Sequence, residues 1–317
     1  MTQGGVSSYK QSSKTVNKKK LANFRKYWDL YLIMVPGILF FIVFKYIPMW
    51  GVIIAFKDYS AFAGFAASEW VGWEHFIRMF QDNKFHEVFS NTLLISLYKL
   101  VWGFPGPIIF ALMLNEVRRM FYKRSIQTLA YLPHFLSWVI VGGILVQVLS
   151  PSTGVVNEFI QFLGFDSIYF LGDSEWFRTV IVASDVWKTI GWGAIIYLAA
   201  LAGIDPQLYE AAKIDGANKW RQLWHITIPT LLPTICILFI LNLGNVLDVG
   251  FEQIYILLNP LVYDVGDVIE TYVYREGITQ AQFSYTTAVG LFKSAIALVL
   301  VIIVNKIIKK LGQPGIW

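Results

Sequence analysis

Six apolar runs, each close to the length of a membrane-crossing helix, constrain this chain more than any other feature. They cover about residues 30–47, 88–114, 126–149, 179–203, 228–247 and 284–304. A bilayer core asks for about 20 apolar residues per helix, and only helices or closed barrels satisfy their own backbone polar groups there. The 317 residues are 56% hydrophobic, with a mean hydropathy of +0.54, which is too apolar for an ordinary soluble domain. The expected fold is therefore all-α, a polytopic membrane protein with six transmembrane helices. Pro105 and Pro107 in the second run and Pro233 in the fifth are read as kinks whose freed carbonyls neighbouring helices satisfy. Gly191, Gly193 and Ala194 in the fourth run are the small residues that let membrane helices pack closely.

Charge orients the runs. Of the 26 Lys and Arg, seventeen fall in the first 28 residues, in 115–127, in 205–225 and after the last run. Five fall in the alternate segments 57–87, 150–178 and 246–283, and four lie within runs. Positive charge stays on the cytoplasmic side, so both termini are expected there, in a multi-pass membrane protein. Residues 1–28 read as a basic cytoplasmic tail touching anionic lipid, and 29–317 as the transmembrane domain. The segments 57–87 and 246–283 read as polar, aromatic loops on the outer side, and together with 150–178 they hold fifteen of the 21 carboxylates.

Several chemistries are excluded. No Gly-Lys pair occurs, so there is no P-loop for ATP. His75, His86, His134 and His225 have no metal-ligand spacing, and Cys236 stands alone inside an apolar run. No nucleophile elbow is present. The chain is expected to be no enzyme, with neither a catalytic residue nor a metal.

Lys45, Lys99, Lys188 and Lys293 lie within runs. A charge at the centre of a bilayer costs roughly 2.5–3.5 kcal/mol on insertion scales, so such residues face a bundle interior or a cavity. Lys45 is near enough to a run's end to snorkel. Lys188 is three residues from Asp185, on one helix face, which predicts an internal ion pair. Lys99 and Lys188 fit either lining of a substrate pathway or structural pairing. Trp187 and Trp192 fit either an aromatic belt at the membrane surface or a sugar-stacking pathway.

Residues 205–229 are the longest polar interruption on the cytoplasmic side. Asp205 suits a helix N-cap and Pro206 the first helical position. Leu208, Ala211, Ala212 and Asp215 follow at helical spacing, and Gly216 can end the helix or bend it into a second one. Trp220, Leu223, Trp224, Ile226 and Ile228 carry an apolar stripe to Pro229. By residue chemistry this is a helix pair that could simply rest on lipid.

Glu210-Ala211-Ala212, then three residues, Gly216, nine residues and Ile226-x-Ile228-Pro229 resemble the EAA loop of bacterial ABC-importer permeases, with Ile228 where Leu is usual. The resemblance implies two short coupling helices that dock on an ATPase subunit, with Glu210, Ala211, Ala212, Asp215 and Gly216 at the contact. The chain as a whole resembles the maltose-type carbohydrate-uptake branch of type I importers. Residues 44–56 (FKYIPMWGVIIAF), 131–139 (YLPHFLSWV) and 282–293 (QFSYTTAVGLFK) are similar to a subgroup that imports pectin- or rhamnogalacturonan-type oligosaccharides. That resemblance implies a second permease subunit, two ATPase subunits that hold ATP and Mg, an extracellular solute-binding protein and alternating access, with no cofactor on this chain. With uronate-containing cargo, Lys99 and Lys188 are candidates to offset its charge. Alternatives are a permease for peptides or lipoprotein-linked cargo and a secondary transporter, although Asp185 is the one acidic residue well inside a run.

Overall fold

The structure, a computed structural model, describes residues 26–317. The basic tail expected over 1–28 lies outside the described residues, apart from its last three positions. The chain forms two compact units, one ending at Ile54 and the other Ala55–Trp317. In the first, α1 (Trp28–Phe41) runs into a π-helical turn, Ile42–Tyr46, and a last short turn, Ile47–Met49. The π turn has a local cause. Pro48 lacks an N–H and its ring crowds the carbonyl four residues back, which is Phe44, so the helix widens there.

The second unit begins with a two-residue antiparallel pair, β1 (Lys57–Asp58) against β2 (Glu69–Trp70), with Lys57 opposite Trp70. Then follow α2 (Glu74–Gln81), α3 (Asn83–Gly103), α4 (Pro105–Asn115), α5 (Met120–Tyr131), α6 (Trp138–Val148) and α7 (Val155–Phe162). The long α8 (Ser174–Ala202) leads through α9 (Pro206–Ile214) and α10 (Lys219–Gln222) to α11 (Ile228–Gly244). Then come α12 (Phe251–Leu257), α13 (Ile269–Tyr274) and α14 (Phe283–Lys310).

Among the described residues, five helical runs are long and apolar enough to cross a membrane, and six if the bent pair at Met120–Phe135 and Trp138–Val148 counts as one. That pair corrects the simple third span expected over 126–149, since its halves meet at 103°. Pro133 tightens the end of α5, and Ser137 caps a new helix by accepting from the Ile140 N–H at 3.4 Å. The fifth run starts earlier than expected, at Lys219. A π turn, Leu223–Thr227, bridges α10 to α11 one turn ahead of Pro229, for the same reason as at Pro48.

Lipid tails are as apolar as leucine, so close packing and polar contacts hold membrane helices together. Gly191 shows this. A Cβ there would lie 2.2 Å from the Ala130 carbonyl oxygen, so only glycine lets α8 meet α5. Ala111 of α4, Ala194 and Tyr197 of α8 and Leu231 of α11 fill one buried cluster at the 205–229 end of the bundle.

The larger correction concerns 246–283, which reads as a surface loop. Val249, Ile254 and Leu257 are buried with Ile95 of α3 and Phe177 and Ile181 of α8. Ile269 and Tyr272 are buried with Met79, Val88, Tyr285 and Val289. The segment folds back into the bundle and forms much of its core.

Candidate functional site

Two places concentrate polar groups at the ends of the spans and between them. The first is the helical turn after α8. Asp205 caps α9 by accepting from the Gln207 N–H at 2.9 Å, with Pro206 next to it. At the other end Gly216 takes φ +76°, the left-handed region that favours glycine. The Ala217 N–H then reaches the Ala212 carbonyl at 2.8 Å and the Gly216 N–H reaches that of Lys213 at 3.1 Å. This double closure ends the helix without loose carbonyls. Asn218 starts α10 by accepting from the Arg221 N–H at 2.9 Å.

Glu210, Ala211, Asp215 and Gly216 are exposed, Ala212 is half-buried, and Ile214 is 88% exposed. Tyr209 faces inward and shares a 2.9 Å hydrogen bond with Thr227, which ties α9 to the foot of α11. Lys219 pairs with Glu116, just past α4. The element is therefore rigid in itself, bolted to α8 and α11, and exposed on the side carrying Glu210 and Ala211.

The second place is a polar cavity of about 330 Å³ among α3, α8 and the end of α11. Ser96, Lys99, Asp185, Thr189, Asn242, Asn245 and Asp248 line it. Lys99 Nζ lies 3.1 Å from Asp185 and donates to the Val249 carbonyl and Gln253 Oε1, both at 2.8 Å. Gln253 is fully buried, and its Nε2 donates to the Ile181 carbonyl at 2.7 Å and Ser184 Oγ at 2.9 Å.

The expected Lys188–Asp185 pair is not formed. On α8 the two project to different neighbours, and Asp185 is taken by Lys99 of α3. Lys188 donates instead to the His134 carbonyl at 2.9 Å and lies 5.4 Å from the centre of the Trp138 ring. Trp192 stacks flat on His134, with ring centres 4.5 Å apart. Trp187 points to a third place, a wide groove of about 1010 Å³ that it lines with Tyr98, Trp102 and Arg178. Lys99, Trp187, Lys188 and Trp192 thus go to three surroundings, and only Lys188 and Trp192 share one.

Sequence reasoning missed the polar groups of 246–283. Asp267 is fully buried, 2.7 Å from Arg275 and 3.7 Å from Lys84, and accepts from Thr271 Oγ1 at 2.7 Å. Burial works against the charge on Arg275, but the hydrogen bond and charge of Asp267 outweigh it and hold its pKa above the ordinary value. Asn91 of α3 donates to the Asp264 and Asp267 carbonyls at 2.9 and 3.1 Å and accepts from Arg178 at 2.7 Å. Lys293 pairs with Asp248 and, at 3.3 Å, with Glu270. No local pattern in the sequence marks these partners, which come from distant stretches of the chain.

Residues 103–313 match the model of the family described as binding-protein-dependent transport system inner membrane component. The chain is 49% identical over 288 residues to the polygalacturonan/rhamnogalacturonan transport system permease protein YteP of Bacillus subtilis (strain 168), covering 91% of this chain and 90% of the relative. Protein LplB of the same organism is 50% identical over 91% of each. In a crystal structure of a bacterial alginate ABC transporter in complex with an alginate pentasaccharide-bound periplasmic protein, one chain superimposes with a TM-score of 0.86 at 42% identity, over 93% of this chain and 99% of that one.

Proposed function

Because the chain belongs to the binding-protein-dependent transport system inner membrane components and is the permease subunit of an ABC sugar importer, not an enzyme, we propose that its cargo is an acidic, plant-polysaccharide-derived oligosaccharide and that α9 is the joint through which ATP moves it. The cargo class draws support from relatives named for polygalacturonan, rhamnogalacturonan and alginate, all chains of uronate or uronate-containing sugars. The importer comprises this chain, a second permease subunit, two ATPase subunits that bind ATP and Mg, and an extracellular solute-binding protein. Both termini face the cytoplasm, which puts 205–229 on the ATPase side.

The observation that carries the coupling role is α9 itself, a short helix closed at both ends and exposed along Glu210, Ala211 and Ile214. A free membrane-surface helix has no need of the Tyr209–Thr227 bond and the Lys219–Glu116 pair that fix it to the spans. Small side chains at Ala211 and Ala212 let another protein approach the backbone, and Glu210 and Asp215 offer it charge. When the ATPase subunits close, α9 moves as a rigid lever on α8 and α11, and the bundles rock between outward- and inward-open states. Lys99 in the polar cavity and Lys188 with Trp192 beside the bend are the passage residues of this reading, and Trp187 stands at its edge.

The test is Glu210→Lys in the assembled importer. Co-purification of the ATPase subunits and ATP-driven uptake are both expected to be lost while the permease pair still assembles. Uptake at the normal rate with a normal complement of ATPase would refute the coupling role.

A further inference from the structure

We infer that Lys188 reads the carboxylate of the cargo and so sets the importer's preference for acidic oligosaccharides. The inference rests on the reading of the cargo as uronate-bearing. Three lysines lie in the membrane runs of the second unit, and two are neutralised in place. Lys99 has Asp185 at 3.1 Å, and Lys293 has Asp248 and Glu270. Lys188 has no carboxylate within ion-pair distance among the described residues. It is 8% exposed, and its ammonium has one backbone carbonyl, that of His134 at 2.9 Å, and the face of Trp138.

A carbonyl and a ring face attract a cation but bring no countercharge. A lysine held in a membrane bundle this way has no countercharge beside it, and a polar residue at such depth marks function more often than packing. What surrounds it suits a sugar. Trp192, one helical turn along α8, is half exposed and held flat against His134 at 4.5 Å. Phe135, also exposed, meets the Trp192 ring edge-on at 5.6 Å. A rigid aromatic plate beside an unneutralised ammonium accepts a sugar's C–H face on the plate and its carboxylate at Nζ. Lys99 cannot serve in the same way, because Asp185 already occupies it and would repel an incoming anion.

A structural role competes with this one. The His134 carbonyl lies at the 103° break between α5 and α6, where helix carbonyls lose their partners, and a lysine there could act only as a strap. A third possibility is that a carboxylate of the second permease subunit neutralises Lys188. Lys188→Gln separates all three, since its amide can still donate to the carbonyl but carries no charge, and Lys188→Arg keeps the charge.

The importer, with its partner subunits and binding protein, is reconstituted in liposomes, and uptake of trigalacturonate is measured together with ATP hydrolysis. Uptake by the wild-type complex tests the cargo reading on its own: a complex that imports neutral oligosaccharides and no trigalacturonate removes that reading and this inference with it. Given uptake, Lys188→Gln is expected to lower trigalacturonate imported per ATP hydrolysed by about tenfold or more, and Lys188→Arg to restore most of it. An unchanged ratio overturns the inference, whether both rates survive, as for a strap that glutamine can replace, or fall together, as for a lost subunit contact.

Discussion

Residues 205–229 and 246–283 are both polar interruptions between apolar runs, yet they reach their structures by opposite routes. The first is written in neighbours. Asp205, Pro206 and Gly216 set its helix ends through bonds spanning two to five residues. The second is written in partners far along the chain, for Asp267 answers to Lys84 and Gln253 to Lys99 and Ser184. One segment is exposed and, on the proposed reading, faces a partner outside the chain, and the other holds the spans together from within. Substitutions in the inner segment should therefore cost the stability of the whole unit, and those in the outer one should cost coupling while the bundle survives.

The largest effect is expected at Asp267. Asp267→Ala leaves Arg275 and Lys84 without their buried carboxylate and Thr271 without an acceptor. Removing one partner of a buried pair costs about 3–5 kcal/mol, and the partial exposure of both cations puts this case at about 3. Thermal unfolding in detergent should show a lowered Tm for the permease, and Arg275→Gln should lower it too, because the fully buried Asp267 is then left with Lys84 alone as a cation, 3.7 Å away. A Tm unchanged by Asp267→Ala would place 246–283 outside the cooperative core.

This contrast also marks how far the sequence could be read. The six apolar runs and the lysine bias required only composition in order, and the glycine at 191 declared a close approach by its size alone. The caps of α9 were legible because capping is local chemistry. The burial of 246–283 was not, because its carboxylates and aromatics look like those of any solvated loop until Lys84, Asn91 and Arg178 are brought to it from other helices. The Lys188–Asp185 expectation failed for the same reason. Spacing of three put both on α8, but it could not show that Lys99 of another helix stands nearer to Asp185. Likewise, the break at Pro133 turned an apolar run into two helices because of the Ser137 cap, a short-range signal that the hydropathy of the run concealed.

A second, smaller loss is expected at Gln253. Gln253→Leu preserves volume but leaves the Ile181 carbonyl, Ser184 Oγ and Lys99 each short of one hydrogen bond in the interior. An unsatisfied buried polar group costs about 1–3 kcal/mol, so the Tm should fall by less than for Asp267→Ala. Combining Gln253→Leu with Lys99→Met and Asp185→Leu should recover part of that loss, since an apolar set of similar size can replace a buried polar one. Additive losses across the three would mean the cavity does not act as one network.

In the outer segment, Gly216→Val tests conformation alone. No atom comes within 4 Å of a Cβ at this position, so the penalty is that of holding a branched residue at φ +76°. That is about 1–2 kcal/mol, borne by the end of α9. The Tm of the bundle should stay near that of the wild type, while ATPase subunits co-purify less and uptake falls. A Tm drop as large as that of Gln253→Leu would show that α9 is part of the folded core and erase the distinction between the segments.

The smallest effect is expected at Asp205, and it sharpens the contrast most because the change is confined to one hydrogen bond. Asp205→Ala removes the acceptor for the Gln207 N–H at 2.9 Å and costs about 1 kcal/mol of helix stability. Ile204, the residue before it, is buried in the cluster that α8 shares with α11, so the entry to the loop stays anchored. Fraying should therefore run forward into α9 and stop there. Amide hydrogen exchange is expected to speed up across Gln207–Glu210 by about fivefold, with no change in α8 or α11, and Asp205→Asn should restore protection because its side-chain oxygen caps as well. Faster exchange spreading into α11 would mean that the Tyr209–Thr227 bond transmits the cap's loss to the spans, and the lever would then be softer than its closed ends suggest.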